Sequence, residues 1–544
     1  MKVNELQYGR VDVEKAAARV GELTSAAICA RGGRELADIR AQLLDLGKEI
    51  LSAATISEIR FSQNTADKFY VAEKNYYDES LPSYNAECVK FERAFLASPF
   101  LPLALEFMPP AVAKVYELSV KAMDERIIGE SVREAKLITE YSALMSGMTF
   151  PFGGKNIPLS VLNKYLNDAD RKVRRKAAET LGKTLSLSAK RLDGLFSHLV
   201  AVRAEKAKKM GISDFAVMGD MQMNRYSYGR GEITAFRSRI RDKYVPLVSA
   251  HKHEIAVRLG LDRFMAYDNE VYFVGGNPEP RGGAEEIFAA ARKMYAKLGE
   301  ETGKFFAFME DEGAFDVFPR KNKWGGGFCT SIDKYKQPFI LANFNGSSGD
   351  IDVLTHEVGH ALAFYKNLRG KTDYELAQSM TMSIAEVHSM AMEFFAYPHA
   401  ELFFDRADDY RKMHMASALT FLPYGCMVDE FEETCYRNVG LAPSERNALW
   451  LSLEKKYRPH LNYGGIPYLE NGTRWQYQSH IFETPMYYID YCIAQIIALE
   501  FYELSKQNYS GAFAKYLEFM SHGGDLPLVK LCKTVGITSP FSLL

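Results

Sequence analysis

His356-Glu357-Val358-Gly359-His360 is preceded by Asn343-Phe-Asn-Gly-Ser-Ser-Gly-Asp350 and followed by Ala361-Leu-Ala-Phe-Tyr365. On a helix, residues four apart share a face, so His356 and His360 can offer two imidazoles to one ion. Glu357 stands beside them, where it can take a proton from a water held by that ion. The pattern points to zinc-assisted peptide hydrolysis. It raises two questions: which residue supplies a third ligand, and what holds a substrate.

A catalytic zinc site uses three protein ligands and one open position. The motif helix is expected from about Asp350 to Leu368-Arg-Gly370, where glycine suits a helix end. A second helix is expected from about Asp373 to Ala396. If the two pack antiparallel, positions equally far from the turn face each other. The midpoint of the histidines lies about 12 residues before Gly370, or about 18 Å along a helix. About 12 or 13 residues into the second helix stands Glu386. Glu375 comes too early, Glu393 shares the Glu386 face but lies two turns too far, and His388 is roughly 200° round the helix. Ala363 and Lys366 occupy the places where an H-E-x-x-H-x-x-G-x-x-H site puts glycine and a third histidine. The second helix is apolar nearly all round (Met382, Ile384, Val387, Met390, Phe394), and an ionised glutamate buried there is costly unless bound or paired. The competing reading is a buried Glu386 paired with an arginine or lysine. Glu393 and Asp352 are candidates to orient a ligand histidine, with surface or capping carboxylates as the alternative.

Composition limits the function classes. The 544 residues carry a net charge of −2, 47% hydrophobic and 25% charged residues, an ordinary balance for a globular protein. No basic surplus suggests nucleic acid or an anionic membrane as partner. Cysteines at 29, 88, 329, 426, 435, 492 and 532 form no C-x-x-C, and their odd number argues against a disulfide framework; reduced thiols in the cytoplasm fit best. No signal core opens the chain, and no run of about 18 apolar residues exists to span a membrane.

The rest reads as a continuous helical body. Helix is expected from Asp12 to about Ile56, across residues 57–125 with breaks at Leu81-Pro-Ser and Ser98-Pro-Phe-Leu-Pro, from Asp168 to Lys209, from Ile233 to Leu259, and twice between Ala284 and Glu310. Residues 134–145 fit strand or helix equally. Pro151-Phe-Gly-Gly-Lys-Asn-Ile-Pro is a turn suited to a hairpin, and the basic run Asp170–Lys176 reads as a solvated helix face. A short β region is expected from about Val317 to Asn345. Its strands are Trp324–Ile332 and Gln337–Phe344, and Asp333-Lys-Tyr-Lys makes the turn. Gly325, Gly326 and Gly327 read as a bulge or tight turn and as a side-chain-free edge on which an extended peptide can add as a strand, two readings that are compatible. Gly326, Gly327, Phe328, Cys329 and Thr330 are therefore candidate substrate-binding residues. There is no internal repeat or low-complexity linker.

A second stretch, Arg474-Trp-Gln-Tyr-Gln-Ser-His480 through Tyr487-Tyr488-Ile-Asp-Tyr491 to Gln495, is rich in polar aromatics. Amide hydrolysis develops an oxyanion, which neutral tyrosine hydroxyls or a histidine can stabilise. Tyr487 and Tyr491, or Tyr488 and Tyr491, can share a helix face; buried structural tyrosines are the alternative. Tyr463-Gly-Gly-Ile-Pro-Tyr468 is either a substrate-touching loop or a surface turn.

These motifs, with Asp214-Phe-Ala-Val-Met-Gly, Met223-Asn-Arg225, Gly276-Asn-Pro-Glu-Pro, Gly303–Met309 and Glu386-Val-His-Ser-Met-Ala-Met-Glu393, resemble the oligoendopeptidase F branch of the thimet-type (M3) metallopeptidases, in particular the Pz-peptidase-like enzymes. One departure is Tyr226-Ser227, where relatives often carry Thr-Asp. The resemblance implies a mainly α, elongated helical body with a deep substrate channel and a small β-sheet beside the motif helix. It implies an N-terminal region (1–125) forming part of the channel wall and a catalytic region (126–544). It also implies one zinc ion per chain on His356, His360 and Glu386, Glu357 as base, and His480 with one or two of Tyr487, Tyr488 and Tyr491 at the transition state. The substrates it implies are short peptides, cut at internal bonds. The alternatives are a non-catalytic helical peptide-binding protein with a structural metal, and a dipeptidyl carboxypeptidase, for which no group capturing a C-terminal carboxylate was identified.

Overall fold

The computed structural model describes residues 2–370 and 373–542, which fold into a largely helical body with two small sheets. The N-terminal helices are Val13–Cys29, Gly33–Gln63 and Lys68–Ala97. Gly32, in extended conformation, separates the first two. The third runs through Pro82 without a break. It packs against both others, and this tertiary packing outweighs the hydrogen bond that proline removes. Residues 134–145 are helical, within Ile128–Gly147. The helix Arg171–Lys209 follows, and its basic run is not wholly solvated: Arg174 is buried, with Nη2 donating to Asp268 Oδ1 at 2.8 Å. From Arg230 to Arg258 one rod is interrupted by a single π segment, Ile240–Tyr244, just before Pro246.

Two strands, β1 (Phe150–Phe152) and β2 (Lys155–Ile157), pair as an antiparallel hairpin. Its turn uses Gly153 and Gly154 at φ of +60° and +77°, which glycine reaches without strain. Three further strands, β3 (Phe315–Asp316), β4 (Phe328–Ile332) and β5 (Gln337–Leu341), form a sheet in the order β3-β5-β4. β4 and β5 are antiparallel, with Phe328 opposite Leu341 and Ile332 opposite Gln337. The first strand thus begins four residues later than expected, leaving Gly325–Gly327 in the loop that leads to it, and β4 is an edge strand.

The sheet packs on the motif helix, Gly349–Arg369. Asp350 fixes its start by accepting from the backbone amides of Asn345 (2.9 Å) and Gly346 (2.7 Å). The single helix expected over 373–396 is two: Tyr374–Gln378 and the facing helix Met382–Phe395. Tertiary contacts impose the break. Arg40 holds Asp373 and Glu375 at 2.8 and 2.7 Å, and Asn224 Nδ2 donates to the carbonyl of Ser379 at 2.9 Å. The facing helix nonetheless runs antiparallel to the motif helix, because His356 meets Glu393 while His360 meets Glu386.

The two helices touch at Gly359. A Cβ there would lie 2.5 Å from the carbonyl oxygen of His388 and 2.7 Å from Ser389 Cα. Both obstacles are backbone, so Gly359→Ala must force the helices apart. It is expected to destabilise the fold by about 1–3 kcal/mol, seen as a lower midpoint in denaturant unfolding. Gly194→Ala, in the helix Arg171–Lys209 with nothing within 4 Å, is the control that should leave the midpoint level or raise it.

Candidate metal centre

His356 Nε2 and His360 Nε2 lie 3.2 and 3.4 Å from Glu386 Oε2. One donor atom from each of the three residues falls within 4.8 Å of the others. Glu386 is 1% exposed, and no arginine or lysine among the described residues pairs with it. Its other contacts are hydroxyls: Ser389 Oγ donates to Oε2 at 2.9 Å, and the Tyr487 hydroxyl donates to Oε1. Two imidazole nitrogens and a carboxylate converging without a basic side chain fit a divalent cation of the zinc class. Glu357, on the same helix, is buried, and its Oε2 has no hydrogen-bond partner. That orphaned oxygen suits a group that handles a reactant's proton. Burial raises Glu357 above the usual carboxylate range, and the two histidines pull it back.

His356 is oriented from behind. Glu393 Oε1 lies 2.6 Å from His356 Nδ1, and Glu393 Oε2 lies 2.8 Å from His414 Nε2. His414 Nδ1 is in turn 2.8 Å from the Tyr397 hydroxyl. Glu393 therefore sits where the sequence suggested. Asp352 does not reach a ligand histidine: it accepts from the Tyr410 hydroxyl at 2.6 Å and lies 3.9 Å from His414. Nothing in the sequence argument pointed to His414, although a scarce histidine four residues after Tyr410 on one helix was a usable signal. His388 faces away, buried beside Phe519 and pushed down to about 3 by desolvation.

The aromatic stretch closes the other side. The helix Tyr488–Gln507 packs on the facing helix. Its tyrosines sort by partner. Tyr487 reaches Glu386. The Tyr491 ring lies 6.5 Å from the His356 ring, with its hydroxyl 3.3 Å from His480 Nε2. Tyr488 packs against Phe421 and Tyr424 and edge-on to the His480 ring at 5.0 Å, while the contacts to Glu386 and to the His356 ring belong to Tyr487 and Tyr491. The proton on His480 follows from its neighbours. The Tyr424 hydroxyl donates to Gln478 Oε1 at 2.7 Å, which turns the Gln478 amide nitrogen to His480 Nδ1 at 3.2 Å. Nδ1 therefore accepts, Nε2 carries the proton, and it donates to the Tyr491 oxygen. The Tyr491 O–H is then free to donate elsewhere. Burial holds His480 down to about 4, so the ring is neutral at ordinary pH.

The expected substrate-binding residues lie beside this group. A Cβ on Gly327 would be 3.7 Å from Glu357 Oε1. Phe328, Cys329 and Thr330 line a cavity of about 360 Å³ that continues along β4.

Comparisons with known proteins show what the chain is similar to. Residues 3–123 match the peptidase M3 N-terminal domain and residues 304–542 match peptidase family M3. The solved structure of Pz peptidase A with an inhibitor is 34% identical with a TM-score of 0.97, over 99% of this chain and 96% of that one. A candidate oligoendopeptidase F from Bacillus anthracis strain Ames is 32% identical with a TM-score of 0.93, over 100% and 95%. An oligoendopeptidase F homolog from Mycoplasma genitalium is 24% identical over 284 residues, 47% of this chain; the chain spans 44% of the length of that curated relative. With one such match covering nearly its whole length at a third identity, the chain belongs to peptidase family M3.

Proposed function

We propose that the chain is a zinc-dependent oligoendopeptidase that hydrolyses internal bonds of short peptides, with one zinc ion held by His356, His360 and Glu386. The observation that carries this reading is the convergence of those three donors within 4.8 Å beside a buried, unpartnered Glu357 oxygen. Family membership supports it, as does the edge strand that runs up to the same group.

When bound, zinc supplies Lewis acidity that polarises the scissile carbonyl and acidifies the attacking water. Glu357 accepts that water's proton and delivers it to the leaving amine. Tyr491, its oxygen already satisfied by His480, donates its O–H to the carbonyl oxygen as charge develops. Tyr487 and Ser389 hold Glu386, and Glu393 holds His356. The substrate backbone lies along β4, whose outer edge has no strand partner. A non-catalytic binding protein would have no use for a buried base beside three metal donors. Among the described residues no helix is long and apolar enough to cross a membrane. The seven cysteines are all free thiols, which supports a reducing, cytoplasmic setting.

The test is digestion of short synthetic peptides with and without a zinc chelator, read by mass spectrometry; chelator-insensitive cleavage, or none, would overturn the reading. Glu357→Gln is expected to keep its zinc and lose about 10²–10⁴-fold in kcat, whereas Glu386→Ala loses the zinc itself, measured by metal analysis after dialysis. Tyr491→Phe should lower kcat about 10²-fold or more with metal content unchanged, while Tyr488→Phe stays close to wild type. Glu393→Gln leaves His356 and His414 without their shared carboxylate and should weaken zinc binding about 10–100-fold in chelator competition.

A further inference from the structure

A cavity of about 320 Å³ is bounded by the Tyr463–Tyr468 loop, Arg458, Glu454, Tyr477 and Arg474. Gly464 and Gly465 take φ of +68° and +72°, a turn only glycine makes freely, and it sets Tyr463 and Tyr468 on the cavity wall. Two donors there are unused: Arg474 Nη1 and the Tyr468 hydroxyl are both buried without a hydrogen-bond partner. One acceptor is unused as well, Glu454 Oε2. Among the described residues no carboxylate pairs with Arg474. Glu454 Oε1 accepts instead from Arg458 at 3.3 Å, and Glu270, the other acid on the wall, accepts from Asn269. The Arg474 guanidinium rests on aromatic faces, 4.1 Å from the Tyr477 ring centre and 5.7 Å from that of Tyr424. Buried donors left without acceptors are costly, so they are rarely left without a purpose.

Two donors, one of them cationic, and one acceptor complement the last residue of a peptide: its carboxylate takes the donors and its own N–H meets Glu454. The cavity shares a wall with the space next to the glycine loop that precedes β4. A peptide pairing antiparallel to β4 runs from Ile332 toward Phe328 and reaches Glu357 at Gly327. Past that point it meets a smaller cavity of about 160 Å³ lined by Gly325, Gly326 and Asn343, whose wall includes Tyr477. Tyr477 is thus shared between the glycine loop and the Arg474 cavity. The relay from Arg474 to the reaction group is short, through Tyr424, Gln478 and His480.

We propose, on the basis of the oligoendopeptidase reading above, that Arg474 with Tyr468 forms a subsite for the C-terminal carboxylate of the substrate, limiting how much chain can follow the scissile bond. The test pairs one peptide as free acid and as C-terminal amide, with a third, amidated peptide carrying aspartate within three residues of the cut. Wild type is expected to cleave the acid about tenfold or more better in kcat/KM, mainly through KM, and Arg474→Met to erase that gap while still cleaving the amide. If Arg474→Met proves inactive on all peptides, Arg474→Lys and Tyr468→Phe carry the test, and each should narrow the acid-to-amide ratio. Equal cleavage of acid and amide by wild type, or a gap that survives these variants, would overturn the subsite. Rescue of the amide by aspartate would overturn the assignment to the chain end. Failure of wild type to cleave any of the three would instead defeat the peptidase reading.

Discussion

The site depends on a close approach between two helix backbones. Ligand distances of 2.0–2.2 Å to a small cation leave little slack, so the helices that carry His356, His360 and Glu386 must be held at one separation. Gly359 sets it. With no side chain at position 359, the motif helix rests directly on the backbone of His388 and Ser389. That contact fixes the level at which the facing helix presents its side chains. Glu386 then lies opposite His360, and Glu393, two turns on, lies opposite His356. One register thus places both Glu386, against the two imidazoles, and the carboxylate that holds His356.

The same contact explains why the polar groups run in a chain through an apolar core. Val387, Ala391, Phe394 and Phe395 bury the rest of the facing helix, so every carboxylate on it needs a partner that is not water. Glu386 has Ser389 and Tyr487; Glu393 has His356 and His414. None of these partners is a lysine or arginine. A fixed cation would neutralise Glu386 permanently and compete with a metal, whereas hydroxyls hold the carboxylate without cancelling its charge. Contrast Asp429, whose carboxylate is held by Arg230 and Arg237: the chain uses arginine pairs freely where acids have only a structural part.

Much of this was legible in the sequence because it rests on local periodicity. The four-residue spacing of the histidines, the glycine-bounded hairpin and the apolar wall around Glu386 are all short-range patterns. The arithmetic that selected Glu386 assumed one helix over 373–396, and that helix is broken at Ser379–Thr381. The choice survives because the crossing at Gly359, not the distance from the turn, sets the level. What was illegible depends on partners far away in the chain. Arg40 and Asn224 impose the break. Asp268 buries Arg174 within a run that looked solvated. His414 reaches Glu393 from another helix. The tyrosines could not be sorted from spacing either, because both Tyr488 and Tyr491 lie against the His480 ring and differ in distant partners, Tyr424 beside Tyr488 and the His356 ring beside Tyr491.

The edge strand completes the physical logic of substrate choice. An unpaired edge is normally a hazard, since any extended chain can add to it. Here β4 lies between the motif helix and the helix Gly33–Gln63, and the cavity along it is bounded by Glu58, Ile59, Phe61 and Ser62 of that helix. Pairing with β4 therefore requires a single extended strand to enter the space between two helices. A short peptide meets the condition with no structure to lose. Backbone hydrogen bonding to an edge strand is blind to side chains, so discrimination has to come from elsewhere: from the cavities on either side of Gly327 and from whatever recognises the ends of the chain.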